Sequence, residues 1–428
     1  MNVKKVTFAS LVVTALLAIG LITPLTLINV DVAAAKHEES ISGDVVTLGK
    51  AIFFDTRLSK PVGQSCASCH DPSAGFADPR SDSPVSRGAI QTRFGNRNAQ
   101  SAAYAMYSPE LHYDPTMRPG MMGGMYIGGF FWDGRANSLE EQAQAPFLNP
   151  LEMHNPDKKT VVLAVRQSEY AGLFKEVFGE DSFNDVDAAY IYVAQAIAAY
   201  ERSTEVNPFT SKYDYWVKGE AEFTESELRG YNLFRSTSMM GAKCVNCHSM
   251  SGESGQQGSG GGQGSGGQHG SSGTMPSSSS PALFTNFGYQ NLGVPRNPEL
   301  PYYSLPSPLN PDGEDYVDLG LGGFLRQIGV PEEQAAMEDG KFKIPSLRNC
   351  AITAPYEHNG VFKTLKEVVM FNNMRDVPEA GYPPPEVPQN VHRHMGNMPR
   401  TFGKLGLTEQ QVDDIVAFLE ALTDGYTP

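Results

Sequence analysis

The sequence contains little cysteine, little tryptophan and little positive charge. Its 428 residues include five cysteines and two tryptophans. Four of the cysteines form two tight pairs, Cys66/Cys69 and Cys244/Cys247, and Cys350 stands alone. Few, closely paired cysteines exclude a disulfide-stabilised scaffold. We therefore expect Cys350 to be a small buried apolar residue and the two pairs to carry chemistry.

Basic residues are outnumbered, with 33 Lys and Arg against 48 Asp and Glu and a formal net charge of −15. Such a charge repels nucleic acid and is compatible with a basic protein partner. The expected macromolecular partner is therefore a protein, and no nucleic acid is expected.

Long hydrophobic runs are absent except at the N-terminus. Residues 1–35 begin MNVKK, continue with an apolar stretch and end with small residues at Ala33 and Ala35. This pattern predicts a signal peptide that is cleaved after Ala35, and hence an exported protein. Because the apolar run is long for a signal, an uncleaved membrane anchor is the alternative. The protein would contact a membrane only in that second case.

The cysteine pairs belong to a repeated motif, CASCH at Cys66–His70 and CVNCH at Cys244–His248. Two thiols at this spacing can add to the two vinyl groups of a haem while the adjacent histidine reaches the iron. A zinc site built from all four thiolates would leave both histidines without a role. A thioredoxin-like pair would lie in a βαβ pattern, and none is visible. The motifs therefore predict two covalent haem c groups.

The haem motifs lie within a longer internal repeat. LGKAIFF precedes the first motif and LRGYNLF precedes the second, and an Arg-Asn pair follows each, at Arg97-Asn98 and Arg348-Asn349. WDGRANSLEE, from Trp132, matches HNGVFKTLKE, from His358. Four matched blocks in one order indicate a duplication. The alignment pairs Trp132 with His358 and Pro146 with Asn372.

Helical patterns dominate, and β alternation is scarce. Residues 186–200 have apolar positions at helical spacing, and capping boxes at Thr224–Glu227 and Thr408–Gln411 begin two further helices, the last ending near Gly425. We predict a mainly α fold with two tandem c-type cytochrome domains, residues 36–218 and 219–428. The Gly/Ser-rich stretch 251–280 is predicted to be a flexible insertion in the second domain.

At this point the chain resembles the bacterial dihaem cytochrome c peroxidase family, including the MauG-type enzymes that oxidise tryptophans in a partner protein. The resemblance covers residues 45–425 and rests on LGKAIFFDTRLS, CASCH, GNRNAQS, FWDGRANSLEEQAQAPFLNPLEM, CVNCH, KIPSLRNCAITAPYEHNGVFKTLKEVV and LGLTEQQVDDIVAFLEALTDG. It implies a periplasmic enzyme with two α-helical cytochrome domains, and it allows a homodimer.

The resemblance also assigns roles to individual residues. His70 would be the proximal ligand of the peroxidatic haem and His248 that of the electron-transferring haem. Trp132 would lie between the haems. Gln142 and Glu152 would line the distal side of the first haem, with Glu152 as the acid–base group.

A calcium ion between the domains is a further implication of the resemblance. Asn98 and the backbone of Thr353 and Pro355 would supply its oxygen ligands, which suit a hard cation.

The first iron is expected to be open in the resting enzyme. Some family members block it with a histidine about sixteen residues after the anchor, but residues 83–90 read SPVSRGAI. The repeat alignment places Pro146 where an axial ligand could come from, and a proline side chain has no atom that can bind iron. An oxidised enzyme that does not react would indicate an overlooked ligand such as His112 or His154.

The second iron has no evident distal ligand. The family places Met or Tyr fourteen residues after the position of His358, where this chain has Asn372. An amide is a poor iron ligand. The other candidates are Met370, Met374, His392, His394, Met395 and Met398.

A methionine-rich stretch, residues 117–125, contains Met117, Met121, Met122 and Met125. It is read as an apolar loop packing near the haems, with a Cu(I) site as the alternative because thioethers select that ion.

The leading hypothesis is a dihaem peroxidase that reduces hydrogen peroxide with electrons from a small cytochrome c or a cupredoxin. The second hypothesis is a MauG-like oxidase that modifies Trp or Tyr of a partner protein. The third is a non-catalytic dihaem electron carrier, against which Glu152 and Gln142 above an open iron argue.

Overall fold

The computed structural model describes residues 43–80, 82–116, 124–238, 241–250, 281–392 and 401–428. Several sequence predictions fall outside these residues. They concern the signal segment 1–35, the insertion 251–280, most of the methionine-rich stretch, and the candidate ligands His394, Met395 and Met398.

Eleven α-helices occur in the described part of the chain. They are α1 (43–53), α2 (Leu139–Leu148), α3 (Lys158–Arg166), α4 (Ala171–Phe178), α5 (Val186–Glu201), α6 (Lys212–Lys218), α7 (Glu225–Arg235), α8 (Gly320–Gln327), α9 (Glu332–Ala336), α10 (Leu365–Met374) and α11 (Glu409–Glu420). Short 3₁₀ turns lie at Thr56–Leu58, Cys66–Ser68, Pro72–Ala74, Ala105–Tyr107, Cys244–Asn246, Pro301–Ser304, Gly313–Asp315, Cys350–Ile352 and Pro378–Ala380.

Strands are few and short. β1 (His112–Asp114) pairs antiparallel with β2 (Met125–Ile127), and His112 lies opposite Ile127. β3 (Tyr289–Gln290) pairs antiparallel with β4 (Phe342–Lys343), and Tyr289 lies opposite Lys343. The predicted mainly α class is confirmed.

Two helix crossings organise the two largest hydrophobic clusters, because a glycine lets one helix backbone touch another. A Cβ added at Gly49 of α1 would lie 1.8 Å from the carbonyl oxygen of Ala196 in α5. A Cβ added at Gly230 of α7 would lie 1.8 Å from that of Asp414 in α11. Around the first crossing packs a cluster that includes Phe53, and around the second a cluster that includes Phe418.

The predicted repeat has matching local geometry in both copies of the DG turn. An isolated bridge joins Phe130 to Ala136 in the first copy and Tyr356 to Phe362 in the second. The turn glycines have left-handed backbones, with φ 78° at Gly134 and 62° at Gly360. Each turn leads into a ten-residue helix, α2 capped by Ser138 and α10 by Thr364. The duplication and the domain boundary at 218/219 stay predictions that this geometry supports.

The helix predictions are confirmed except for one end. α5 spans the predicted segment, and the capping boxes at Thr224 and Thr408 both form. α11 ends at Glu420, before the predicted Gly425, because the chain beyond it makes tertiary hydrogen bonds. The amide of Asp424 donates to the Asn349 side chain, and that of Tyr426 donates to the Thr210 carbonyl.

Within the described residues, no helix has both the length and the apolar character that crossing a bilayer requires.

Candidate functional site

Both CxxCH motifs fold into the same tight turn. The amide of His70 donates to the Cys66 carbonyl at 2.9 Å, and that of His248 donates to the Cys244 carbonyl at 2.9 Å. The turn brings each histidine back beside its first cysteine. All four motif cysteines are free thiols, so they are available for thioether bonds.

A backbone carbonyl orients the imidazole ring of each motif histidine and fixes its tautomer. Nδ1 of His70 lies 3.2 Å from the Phe76 carbonyl, and Nδ1 of His248 lies 2.9 Å from the Phe284 carbonyl. A carbonyl only accepts, so Nδ1 carries the proton and Nε2 keeps the lone pair that binds a metal. Phe76 and Phe284 have φ of 59° and 54°, a backbone bend shared by the two copies.

Burial keeps these imidazoles neutral. It lowers the pKa of His70, and it lowers that of His248 to about 4. A neutral imidazole is the form that ligates iron. Two thiols and one oriented neutral histidine in each motif fit a covalent haem at both positions.

The second motif opens onto a cavity of about 1220 Å³. Cys244, Cys247 and His248 line it on one side, and the α10 residues Leu365, Val368, Val369 and Asn372 contribute to its lining. This volume exceeds the usual range for small-molecule sites, as a large cofactor requires.

Glu152 is a half-buried carboxyl near the first motif. Burial, and then the charges of Glu201, Cys69 and Glu152, raise the pKa of the Cys66 thiol, so these groups are close together. Burial also raises the pKa of Glu152 itself, against the lowering effect of Arg135. Oε1 of Glu152 accepts from Asn149 Nδ2 at 2.7 Å, which holds the side chain in place.

Gln142 lies on α2 at the position that matches Val368 of α10. In α10 the cavity face consists of residues 365, 368, 369 and 372. The matching positions of α2 are Leu139, Gln142, Ala143 and Pro146. Gln142 and Pro146 are half-buried, and if the duplication holds they would face the first motif as residues 368 and 372 face the second.

Trp132 is a buried side chain in the lining of the second motif's cavity. Its Nε1 donates to the Asn98 carbonyl at 2.9 Å, and its side chain lines the cavity of His248. Two residues further on, the Gln100 backbone lies near the His70 ring and partly offsets the lowering of its pKa by burial. The segment from Asn98 to Gln100 therefore runs from Trp132 towards the histidine of the first motif.

The three residues expected to bind calcium line the same cavity. Asn98, Thr353 and Pro355 all occur in its lining, and the Asn98 side chain donates to the Pro84 carbonyl at 3.1 Å. Among the described residues, no cluster of three or more His, Cys, Asp or Glu could hold a metal ion. Any calcium here would rely on carbonyl and amide oxygens.

The two histidines named as possible overlooked ligands, His112 and His154, have other partners in the structure. His112 is exposed on β1, with Nδ1 2.8 Å from the Glu110 carbonyl. Nδ1 of His154 accepts from Arg93 at 3.3 Å. Ser86, sixteen residues after His70, lies beside Cys69 and has no imidazole to offer.

Glu201 is a buried carboxyl that the sequence reasoning missed. It lies at the end of α5, 6% exposed, and its Oε2 has no hydrogen-bond partner among the described residues. Burial raises its pKa to about 8. The sequence does contain a pattern that predicts this burial. Glu201 continues the apolar side of α5 formed by Tyr190, Ala194 and Ile197, at spacings of four, three and four residues.

The profile of the di-haem cytochrome c peroxidase family matches residues 43–222. The chain is 34% identical, over 423 residues, to the methylamine utilization protein MauG of Paracoccus denitrificans, with 96% of each chain covered. The chain belongs to the di-haem cytochrome c peroxidase family. It is also 30% identical to the cytochrome c551 peroxidase of Nitrosomonas europaea, covering 77% of this chain and 72% of that one.

A solved structure agrees with this assignment. The diheme peroxidase BthA of Burkholderia thailandensis superimposes with a TM-score of 0.73 at 32% identity, covering 89% of this chain and 86% of that chain. Membership implies an oxidoreductase of the cytochrome c peroxidase type and two haem c groups. The predicted family and enzyme class are confirmed.

Proposed function

We propose that this protein reduces hydrogen peroxide at the haem held by Cys66, Cys69 and His70, with electrons that pass from the haem held by Cys244, Cys247 and His248. The observation that carries the proposal is the half-buried Glu152 carboxyl near the first motif, together with Ser86 at the position of a blocking histidine in the separate loop 83–90. Glu152, Gln142 and Trp132 are the proposed catalytic residues.

A haem bound at the first motif would supply the iron that binds and reduces hydrogen peroxide, so that hydrogen peroxide, two electrons and two protons would give two waters. His70 and His248 would hold the irons through Nε2, because their Nδ1 protons are donated to the carbonyls of Phe76 and Phe284.

Glu152 moves the proton between the two peroxide oxygens. Its Oε1 is occupied by Asn149, so Oε2 is the atom that takes and returns the proton. Burial raises the pKa of this carboxyl, which favours the protonated form and so its return of the proton. The Gln142 amide orients the bound peroxide.

Trp132 carries electrons between the two sites. Its indole N–H is bonded to Asn98, and the same segment continues to Gln100 beside His70. The ring also lines the cavity of His248. Trp132 thus lines the cavity of the second motif and is hydrogen-bonded to a segment that leads towards the first, which supports the relay role.

The proposed electron donor is a small redox protein, a cytochrome c or a cupredoxin, with a basic docking face. The net charge of −15 favours such a partner electrostatically.

A second candidate function is oxidation of Trp or Tyr side chains of a partner protein. Ser86 at the blocking position and the full-length similarity to MauG favour it.

We also propose export to the periplasm, two haem domains at 36–218 and 219–428, and one calcium ion bound by Asn98, Thr353 and Pro355. The matched turns and helix crossings support the two-domain organisation. The shared cavity lining supports the calcium site.

The test compares Glu152→Gln with Trp132→Phe in the holoprotein. Glu152→Gln should lower peroxide turnover with reduced cytochrome c by about 10²–10⁴-fold, because general acid–base assistance is lost, while both haem spectra stay unchanged. Trp132→Phe should leave the first-haem reaction with peroxide intact and slow oxidation of the second haem.

Two controls keep the result interpretable. Glu169→Gln changes an exposed carboxyl, and Trp216→Phe changes the other buried tryptophan, in the aromatic cluster of α6 and α7. Neither should alter turnover. Full turnover in Glu152→Gln would refute the acid–base assignment, and modification of a partner protein without turnover of any small donor would favour the second candidate.

A further inference from the structure

Tyr104 is a buried phenol that short contacts connect to the second motif. Its side chain is 1% exposed and lines the cavity of His248. The Arg348 guanidinium lies 4.9 Å from the centre of the Tyr104 ring and 5.9 Å from that of the Phe284 ring. The carbonyl of the same Phe284 accepts the hydrogen bond of His248 Nδ1. Tyr104 is thus two side chains away from the second motif histidine.

The backbone just before Tyr104 contacts the surroundings of the first motif histidine. The amide of Ala102 donates to the Phe76 carbonyl at 2.9 Å, and the same carbonyl accepts from His70 Nδ1. Tyr104 therefore follows, by two residues, a backbone group that shares an acceptor with His70. Its position gives it contacts towards both motifs.

The Tyr104 hydroxyl has a carboxylate as its hydrogen-bond acceptor. It donates to Asp424 Oδ2 at 2.7 Å, a length typical of a hydroxyl bonded to a charged oxygen. Asp424 also accepts from the Thr210 amide at 2.9 Å and from Asn349 Nδ2 at 2.9 Å. The Phe209 amide donates to the Tyr104 hydroxyl at 2.9 Å. These bonds hold the phenol and the carboxylate at a distance over which a proton can move.

The cavity lining contains two other tyrosines in the described part of the chain, and their acceptors are different. The Tyr289 hydroxyl donates to the Gly128 carbonyl at 2.6 Å, and the Tyr356 hydroxyl donates to the Cys350 carbonyl at 2.8 Å. A backbone carbonyl accepts a hydrogen bond but does not take over the proton, whereas a carboxylate can do both. Of these three phenols, Tyr104 is the one with a proton acceptor as its partner.

A buried tyrosine can give up an electron at low cost only if it gives up its proton as well. Burial raises the pKa of Tyr104, against the lowering effect of Arg348, so the phenol stays neutral at ordinary pH. Loss of an electron alone would make the ring a buried cation beside the Arg348 guanidinium, which is unfavourable. Transfer of the O–H proton to Asp424 avoids that charge.

We propose that Tyr104 is a redox-active residue that gives one electron to the haems after they have reacted with hydrogen peroxide, while its O–H proton moves to Oδ2 of Asp424. Tyr104 is oxidised to a neutral phenoxyl and the haems are reduced by one electron. An external donor later returns the electron, and Asp424 returns the proton. The inference rests on the proposed function for its oxidant, hydrogen peroxide. It adds a second side chain, besides Trp132, to the electron-transfer route.

The test is electron paramagnetic resonance of the diferric holoprotein, frozen shortly after addition of equimolar hydrogen peroxide without a donor. Wild type should show a tyrosyl radical, identified by a signal that narrows when the protein contains ring-deuterated tyrosine. Tyr104→Phe should lose this signal. Tyr289→Phe, from the same cavity, is the matched control and should keep it. Asp424→Asn should form the radical about 10²-fold more slowly or worse, because an amide does not accept the proton.

The same experiment separates this role from a structural one. If the Tyr104 hydroxyl only ties Asp424 to the rest of the fold, Tyr104→Phe lowers the melting temperature and keeps the radical signal, which would overturn the inference. If Tyr104→Phe does not fold, wild type in D₂O decides. Electron–nuclear double resonance should then detect an exchangeable deuteron bonded to the phenoxyl oxygen, as transfer to Asp424 requires, and its absence would overturn the inference.

Failure of this inference and failure of the proposed function give different spectra. A change in haem absorption on addition of peroxide, without any tyrosyl radical, would overturn only the role of Tyr104. No change in haem absorption and no radical would overturn the proposed peroxide reaction together with it.

Discussion

At the scale of residues, two carboxyls near Cys66, half-buried Glu152 and buried Glu201, differ in their hydrogen bonding. Glu152 accepts a hydrogen bond from Asn149 and feels the charge of Arg135. Glu201 has an unpartnered Oε2 and a pKa raised to about 8 by burial. The hydrogen-bonded Glu152 carboxyl is the one to which proton exchange is assigned in the proposed mechanism. The unpartnered Glu201 carboxyl is destabilised in its ionised form.

Glu201→Gln should stabilise the holoprotein in a pH-dependent way. The pKa of Glu201 in the folded protein lies above its value in the unfolded chain, so ionisation of this carboxyl lowers the free energy of unfolding of the wild type. This destabilisation is absent below about pH 4.5 and grows until the pH passes about 8. The difference in free energy of unfolding between Glu201→Gln and wild type should therefore increase by about 1.4 kcal/mol per pH unit between these two pH values. Denaturant unfolding across that range measures it.

Exposed Glu222→Gln is the control and should leave the pH dependence of wild type unchanged. A gap for Glu201→Gln that does not vary with pH would mean that the carboxyl has a partner in the holoprotein.

At the scale of elements, each half depends on one close helix crossing. α1 meets α5 at Gly49, and α7 meets α11 at Gly230, with room for no side chain at either point. The first turns of α2, α7, α10 and α11 are capped by Ser or Thr side chains, which define where these helices begin.

Gly230→Ala should destabilise the protein by about 1–3 kcal/mol or more, because its Cβ would overlap the Asp414 carbonyl and force α7 and α11 apart. Gly172→Ala in α4 is the matched control. An added Cβ there meets nothing within 4 Å, and the higher helix propensity of alanine should stabilise by up to about 1 kcal/mol. Thermal unfolding of both holoproteins separates the effects, and equal melting temperatures would contradict the close crossing.

At the scale of the whole molecule, a buried ion cluster connects distant parts of the chain. Arg97 pairs with Asp133 at 2.6 Å and with Asp318 at 2.7 Å, and all three side chains are at most 13% exposed. Burial alone would raise the pKa of Asp318, but the charge and hydrogen bonds of Arg97 outweigh it and hold that pKa at about 2. A segment near the first motif is thereby tied to one more than 200 residues away.

Asp318→Asn should cost about 3 kcal/mol at neutral pH, because removal of one partner leaves buried charge less compensated. The pKa of Asp318 is lower in the folded protein than in the unfolded chain. Its ion pair with Arg97 therefore stabilises the fold fully above the unfolded pKa of 3.8, and this stabilisation is lost as the pH falls towards 2. The difference from wild type in denaturant unfolding should therefore shrink over this acidic range. Exposed Asp315→Asn should show no such loss, and a pH-independent difference for Asp318→Asn would count against the ion pair.

The sequence by itself determined the chemistry and the helices. CxxCH spacing, capping boxes and the repeated DG turn are local patterns, because bond geometry and neighbouring residues decide them. The anchors at Cys66–His70 and Cys244–His248, the position of α5 and the mismatch at Asn372 could all be read from it. Only the tertiary structure decided which carbonyls hold His70 and His248, that Glu201 is buried, and that the Tyr104 hydroxyl donates to Asp424. Those facts depend on contacts between residues far apart in the chain, and the burial that shifts a pKa arises only when the helices pack.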